Sequence, residues 1–157
     1  MEKKEVPEAA VKRSVTWIAA VEKALAESRD PGVAREVMKA AGYACARQIF
    51  ADCEEILGRK PETVDELLEA TNRRRRQRHN LANLWEKQGN KAHLVIHECA
   101  CTLVRAGLAE PNPTHCLCSQ GMWERLFAEV HKGPITVEMV KTVGFGDDGC
   151  EFYVTFE

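Results

Sequence analysis

Apolar residues in the first ninety positions recur every three or four residues, which is the spacing of helices. A first helix is predicted from Val6 to about Ala26, and a second from the start signal Asp30-Pro31 to about Leu57, interrupted at Gly42. A third helical segment, one helix or two, is predicted from near Pro61 to Gly89. The apolar positions that define the first helix are Val11, Val15, Ile18, Val21 and Leu25.

After Asn90 the pattern changes to the strict alternation of a strand, in "KAHLVIHECACTLV". Helical spacing returns in "SQGMWERLFAEVHKG", and "PITVEMVKTV" and "CEFYVTF" are β-rich runs joined by "GFGDDG", which has the composition of a hairpin turn. Helices followed by strands indicate an α+β fold. We predict a single domain, 1–157, in which a helical layer (1–90) packs on an antiparallel sheet with one helix inserted between strands (91–157).

Composition narrows the classes of protein that the chain can belong to. No run of about 18 apolar residues is present, and the charged start lacks the apolar core of a secretory signal, so a cytoplasmic protein without a membrane span is expected. The net charge is −2 and the chain contains seven cysteines. Because reducing compartments disfavour disulfides, so many thiols favour metal binding or thiol chemistry.

Four of the cysteines form two Cys-x-Cys pairs separated by a proline-containing turn. Cys99 and Cys101 would share one face of the predicted strand, and Cys116 and Cys118 would precede a helix that begins at Ser119 and favours thiolates. If the turn folds one pair over the other, the four sulfurs form a tetrahedral zinc site, with iron or an iron–sulfur cluster as the alternative. Buried structural thiols, and a thiol nucleophile or redox pair, remain open.

The remaining histidines and cysteines are weaker candidates. His97 and His115 are near enough in sequence to replace a sulfur ligand, with His97 on the cysteine side of its strand. Cys150 shares a strand face with three apolar residues, which favours core packing. Cys45 and Cys53 are two helical turns apart, too far to chelate one ion together, and core packing is favoured for them as well.

Arginines at positions 73, 74, 75, 76 and 78 form the most conspicuous charged segment. On a helix, consecutive residues point in directions about 100° apart, so the run predicts a solvated belt or an oligomer contact rather than a nucleic-acid site. The glycines of "VGFGDDGC" precede a strand, whereas phosphate loops lead into a helix. Neither nucleic acid nor a phosphate ligand is favoured.

The segment Thr114–Glu157 resembles the C-terminal part of the vinyl-reductase-type small-molecule-binding domain, also called hydrocarbon-binding protein, and of the related L-2-amino-thiazoline-4-carboxylic acid hydrolase group. The shared pattern is a cysteine pair, a glycine-containing helix, a glycine followed by Val-Glu, and Gly-Asp before Cys-x-Phe. The residues that match it are Cys116, Cys118, Gly121, Gly133, Val137, Glu138, Gly146, Asp147, Cys150 and Phe152. The Cys-x-Cys spacing departs from the Cys-Pro-x-Cys of many relatives.

The resemblance implies an α+β domain that binds a small apolar or heterocyclic molecule, with the cysteines holding zinc. It also implies a fold shared with vesicle-tether subunits that enclose an acyl chain. We therefore expect a small-molecule-binding or sensor domain with Cys99, Cys101, Cys116 and Cys118 as metal ligands beside an apolar pocket.

Two alternatives from other classes stay open. The first is a cysteine-dependent hydrolase of a small cyclic thiazoline or amide-like substrate, with Cys118 as the nucleophile and His97, His115 or Glu138 as the base. The second is an interaction subunit that forms a homodimer through its helical layer.

Overall fold

The computed structural model describes residues 6–79 and 84–157, which form helices followed by an antiparallel sheet with a helix inserted between strands. This confirms the predicted α+β class. The helices are α1 (Glu8–Ala26), α2 (Pro31–Leu57), α3 (Val64–His79), α4 (Thr102–Arg105) and α5 (Pro113–Ala128). The strands are β1 (Glu86–Gln88), β2 (Lys91–Ile96), β3 (Ile135–Lys141) and β4 (Cys150–Phe156). Among these helices, none is both long and apolar enough to span a membrane.

The strands lie in the order β1-β2-β4-β3, and every pairing is antiparallel. Alternate residues of β2 and β4 face the core, and their register places Leu94 opposite Phe152 and Ala92 opposite Val154. On the other face, the ring of His93 stacks on Tyr153 at 4.2 Å. The alternation that predicts these strands thus produces one apolar face, which receives α5.

Aromatic residues of α5 fill the space above the sheet. Trp123 and Phe127 both contact the edge of Trp85, at centroid distances of 5.0 and 5.4 Å, and Phe127 also meets Phe156 at 5.2 Å. Phe127 and Leu126 are fully buried. The inserted helix therefore lies at the centre of the core.

Helix α2 packs on α5 at two glycines. A Cβ added to Gly42 would lie 2.0 Å from the carbonyl oxygen of Cys118, and one added to Gly121 would lie 2.2 Å from the carbonyl oxygen of Lys39. Lys39 also forms an ion pair with Glu124 across the crossing, at 2.6 Å. Gly42 does not interrupt α2, contrary to the sequence-based prediction; it lets the two backbones touch.

The third helical segment ends earlier than predicted. Residues 84–85 are not helical, and β1 follows at 86–88. Asn72 holds this turn, because its side chain accepts a hydrogen bond from the Trp85 amide at 2.8 Å and donates one to the Trp85 carbonyl at 3.0 Å. Leu81, which belonged to the predicted helix, lies outside the described residues. A three-residue edge strand is too short to produce a periodic pattern.

The arginine segment is only partly a solvated belt. Arg73 and Arg76 are exposed, but the Nε atom of Arg74 lies 2.7 Å from the carboxylate of Asp52 on α2. Arg75 is buried, and its burial lowers the pKa of the guanidinium to about 10. The side chain of Arg78 lies outside the described residues. Arg74 thus ties α3 to α2, and a homodimer through the helical layer stays a prediction.

Candidate active site

The two cysteine pairs lie on elements other than those predicted. Strand β2 ends at Ile96, so Cys99 and Cys101 lie in the loop that follows it, and Cys101 precedes the first residue of α4. The prediction that both share one strand face is therefore wrong. The cause is that the alternation of polar and apolar residues continues past the last residue that pairs with β4.

Helix α5 begins at Pro113, six residues before the predicted start at Ser119. Asn112 caps it, because its side-chain oxygen accepts the amide hydrogen of His115 at 2.8 Å, and proline suits the first helical position. Cys116 and Cys118 consequently lie inside the helix, where residues two apart point about 200° away from each other. The two sulfurs do not leave the helix on one side.

A chain of hydrogen bonds connects three parts of the fold at this point. The Nε2 atom of His115, in the first turn of α5, lies 3.3 Å from the sulfur of Cys101. Its Nδ1 atom lies 2.5 Å from Oε1 of Glu22 on α1, and the other oxygen of Glu22 accepts a hydrogen bond from Asn112 at 2.7 Å. Cys101, His115 and Glu22 thus have the order of nucleophile, base and orienting carboxylate.

The charges of this triad reinforce one another. The hydrogen bond to Cys101 and the contact with Glu22 overcome the effect of burial and raise the pKa of His115 to about 9. At neutral pH the ring therefore carries both protons, donating one to Glu22 and one to the sulfur. Burial works to raise the pKa of Cys101, but the hydrogen bond and charge of His115, with the backbone amides of Leu103 and Val104, bring it below the ordinary value. His115 therefore favours the thiolate form of Cys101, and Cys101 and Glu22 favour the protonated form of His115.

The other thiols near the triad behave differently. Burial raises the pKa of Cys118 to about 12, with the nearby charge of Cys101 adding to the effect. Burial also raises the pKa values of Cys99, Cys116 and Cys150. Cys101 is the thiol in this region whose pKa the described surroundings lower.

The described residues do not form the predicted metal site. Within residues 6–79 and 84–157, no group of three or more His, Cys, Asp or Glu side chains is arranged to hold an ion. Of the four predicted ligands, two project from the loop after β2 and two project from different sides of α5. One of the loop cysteines, Cys101, already contacts His115. Zinc, iron or an iron–sulfur cluster at these cysteines stays a prediction of the sequence alone.

The other candidates from the sequence are exposed or pack against the core, and Cys45 is near enough to Cys101 that burial and then the charge of Cys101 raise its pKa. His97 and Glu138 are exposed, and of the proposed bases His115 contacts a cysteine. Cys53 is fully buried and Cys150 packs against the core, as predicted, whereas Cys45 is exposed.

Sequence reasoning missed Glu22, although the sequence contains a signal for it. Position 22 continues the three-to-four spacing of Val15, Ile18 and Leu25, so it lies on the apolar side of α1. It is the buried residue of that helix, with 8% of its side chain exposed. A lone carboxylate on an apolar stripe indicates a buried partner, because an unpaired charge there is costly.

A cavity of about 390 Å³ lies between α1 and the segment that leads into α5. Glu22 and Asn112 form part of its wall, so it adjoins the far end of the hydrogen-bonded chain. Its apolar lining includes Val15, Ile18, Ala19, Ala26, Ala109 and Pro113. The volume is at the lower end of the range of small-molecule sites, about 300–1,000 Å³.

Comparisons with solved structures support the architecture. The trafficking protein particle complex subunit 3 from Naegleria fowleri, covalently bound to palmitic acid, aligns over 95% of both chains with a TM-score of 0.60 and 12% identity. A vinyl-4-reductase family protein from Methanocaldococcus jannaschii aligns over 98% of this chain and 83% of its own, with a TM-score of 0.38 and 15% identity. At these identities the first likeness shows the fold alone, and the second is too weak to support an argument.

No curated protein matches the chain. A match to a protein family, in contrast, extends over residues 3–157, nearly the whole sequence. The chain therefore belongs to the family of unknown function DUF6144.

Proposed function

We propose that this protein is a cysteine-dependent hydrolase of a small amide-like, thioester or thiazoline substrate, with Cys101 as the nucleophile. The observation that supports the proposal is the triad Cys101–His115–Glu22, in which a thiol sulfur, an imidazole and a buried carboxylate are in direct contact. Cys118, whose pKa is about 12, is a poorer choice of nucleophile, because it is the thiolate that attacks.

The geometry supports a two-step reaction. The sulfur of Cys101 attacks the electrophilic carbon, and the Nε2–H group of His115 gives its proton to the leaving nitrogen or sulfur as that bond breaks. A covalent thioester results. His115, now neutral at Nε2, takes a proton from water as the water attacks the thioester, and the carboxylic acid product leaves with Cys101 restored as a thiolate.

Glu22 and Asn112 position the imidazole in this scheme. The carboxylate of Glu22 accepts the Nδ1–H bond, which fixes the ring so that Nε2 faces the sulfur. Asn112 holds the second oxygen of Glu22 and the amide of His115, so one side chain fixes both partners. Neither Glu22 nor Asn112 contacts the reacting atoms.

Binding of a small apolar molecule is the second candidate function, and the cavity beside α1 favours it. The walls are mainly apolar and Cys101 does not line the cavity, so a molecule held there would lie behind Glu22, away from the sulfur. The structural neighbour from Naegleria fowleri is covalently bound to palmitic acid, which makes an acyl group a sensible first probe for both candidates.

The test uses reduced protein, 4-nitrophenyl acetate and phenyl thioacetate, with intact-mass and peptide mass spectrometry. We expect one acetyl group on Cys101 and steady release of nitrophenol. Cys101→Ser should abolish both, and His115→Gln should slow acylation by about 10²–10⁴-fold. Cys45→Ser, at an exposed position on α2, is the control and should react as the parent protein does.

Cys118→Ser separates the two possible nucleophiles. If Cys101 is the nucleophile, this variant keeps the acylation rate of the parent protein. Full activity of Cys101→Ser, or loss of activity in Cys118→Ser alone, would refute the assignment.

A further inference from the structure

Cys118 lies beside the triad because of its place on α5. It follows His115 by three residues, a spacing that puts two side chains next to each other on one helix face. The ring of His115 in turn contacts the sulfur of Cys101. Cys101 thus contacts His115, and Cys118 lies about one turn further along the same face of α5. Burial and then the charge of Cys101 raise the pKa of Cys118, which agrees with this placement.

Two of the other thiols, Cys116 and Cys99, are placed less well to meet Cys101. Cys116 points about 200° away from Cys118 around the helix, and its sulfur lies against Gly144, where an added Cβ would come within 2.4 Å of it. Cys99 is separated from Cys101 by one residue, which would close a very small ring.

The backbones of Cys101 and Cys118 are held differently. Cys101 lies at the junction of the loop after β2 and the four-residue helix α4, whereas Cys118 is fixed inside α5, which packs on α2. A disulfide needs Cα atoms about 4.4–6.8 Å apart, and the loop is the part of the pair that can adjust to reach that distance.

We propose that Cys101 and Cys118 form a peroxide-driven disulfide that reversibly blocks the nucleophile. The inference rests on the proposed function insofar as both require a Cys101 thiolate. Hydrogen peroxide is the oxidant: the thiolate attacks one oxygen, the O–O bond breaks, and a sulfenic acid and hydroxide form. Cys118 then attacks the sulfenic sulfur, and the S–O bond breaks as the disulfide forms and water leaves.

His115 provides the proton transfer that Cys118 needs. The Nε2–H group of His115, which faces Cys101, first gives its proton to the hydroxide released from the peroxide, which forms water. The neutral imidazole can then accept the proton of the Cys118 thiol and pass it to the hydroxyl group of the sulfenic acid. The proton leaves with the hydroxyl group as water. The high pKa of Cys118 makes this step slower than the first, so the sulfenic acid should be detectable before the disulfide.

The test treats the reduced full-length protein with a small excess of hydrogen peroxide, and then with iodoacetamide or dimedone. Non-reducing peptide mapping should show a Cys101–Cys118 disulfide, loss of acetylation by 4-nitrophenyl acetate, and recovery of acetylation after dithiothreitol. Cys118→Ser should instead accumulate the dimedone adduct of Cys101. Cys116→Ser is the matched control on the same helix and should still form the disulfide.

Two outcomes would overturn the inference. One is a disulfide from Cys101 to another cysteine in the parent protein, and the other is oxidation of Cys101 no faster than that of the exposed Cys45. Acetylation is measured on reduced protein without peroxide, and disulfide formation is measured after peroxide. The two proposals are therefore tested separately, and either can be refuted while the other is supported.

Discussion

Glu22 should hold α1 to the rest of the protein, and replacing it tests both the fold and the triad. The apolar side chains of α1 are at best half-buried, and Trp17 is 67% exposed, so hydrophobic contact secures this helix only weakly. The carboxylate accepts hydrogen bonds from His115 and Asn112, and Glu22→Ala removes both. Breaking one side of a buried ion pair costs about 3–5 kcal/mol.

That loss should lower the melting temperature by about 6–20 °C, since 1 kcal/mol corresponds to about 2–4 °C in a chain of this size. Glu22→Gln keeps one acceptor oxygen and should lose roughly half as much. We would measure melting by circular dichroism, and amide hydrogen exchange to detect separate opening of α1.

Glu27→Gln is the control, at the residue that caps the C-terminus of the same helix. Glu27 forms an exposed pair with Lys23 at 3.9 Å, so its replacement should change stability by less than about 0.5 kcal/mol. If Glu22→Ala melts as Glu27→Gln does and exchange in α1 is unchanged, the view that Glu22 anchors α1 is wrong.

Three further predictions concern the core and the triad. Gly42→Ala should destabilise by about 1–3 kcal/mol in urea unfolding because its Cβ collides with α5, and Ala44→Gly on the exposed side should cost about 1 kcal/mol through helix propensity alone. A gain in stability from Gly42→Ala, which helix propensity alone would give, would contradict the close crossing. Phe127→Ala should cost about 3–5 kcal/mol, and a loss below 1 kcal/mol would contradict its central place in the core. The acylation rate should rise with pH as Cys101 ionises below 9.0 and fall above about 9 as His115 loses its proton; a rate still rising at pH 10 would exclude His115 as the acid.

The sequence predicted helices and strands well where a single face of the element is buried against the core. The periodic apolar residues of α1 and α2 and the alternation in β2 and β4 arise from burial of one face, which is a local property of the chain. The same reasoning misplaced the end of β2, because the alternating pattern and the backbone pairing end at different residues. The polar-apolar alternation continues to Leu103, but the strand ends at Ile96, where pairing with β4 ends.

The site could be predicted only in part. The number of thiols and their two pairs indicated cysteine chemistry in the right segment, and His115 was among the proposed bases. The order of the three residues in the triad was not predictable from the sequence. His115 is 93 residues from Glu22 and 14 residues from Cys101 along the chain, and only the fold brings them into contact. Which cysteine becomes a thiolate depends on the group that approaches it in space, and spacing along the chain does not encode that approach.

The sequence by itself therefore determined the α+β class, the main helices and strands, and a cysteine-rich region between β2 and α5. The tertiary structure decided which thiol contacts the histidine, that a glutamate of the first helix completes the triad, and that two glycines bring α2 against α5. The physical reason is that periodicity reports burial of a face within one element. Electrostatic and hydrogen-bonding partners, in contrast, are selected only when separate elements pack together.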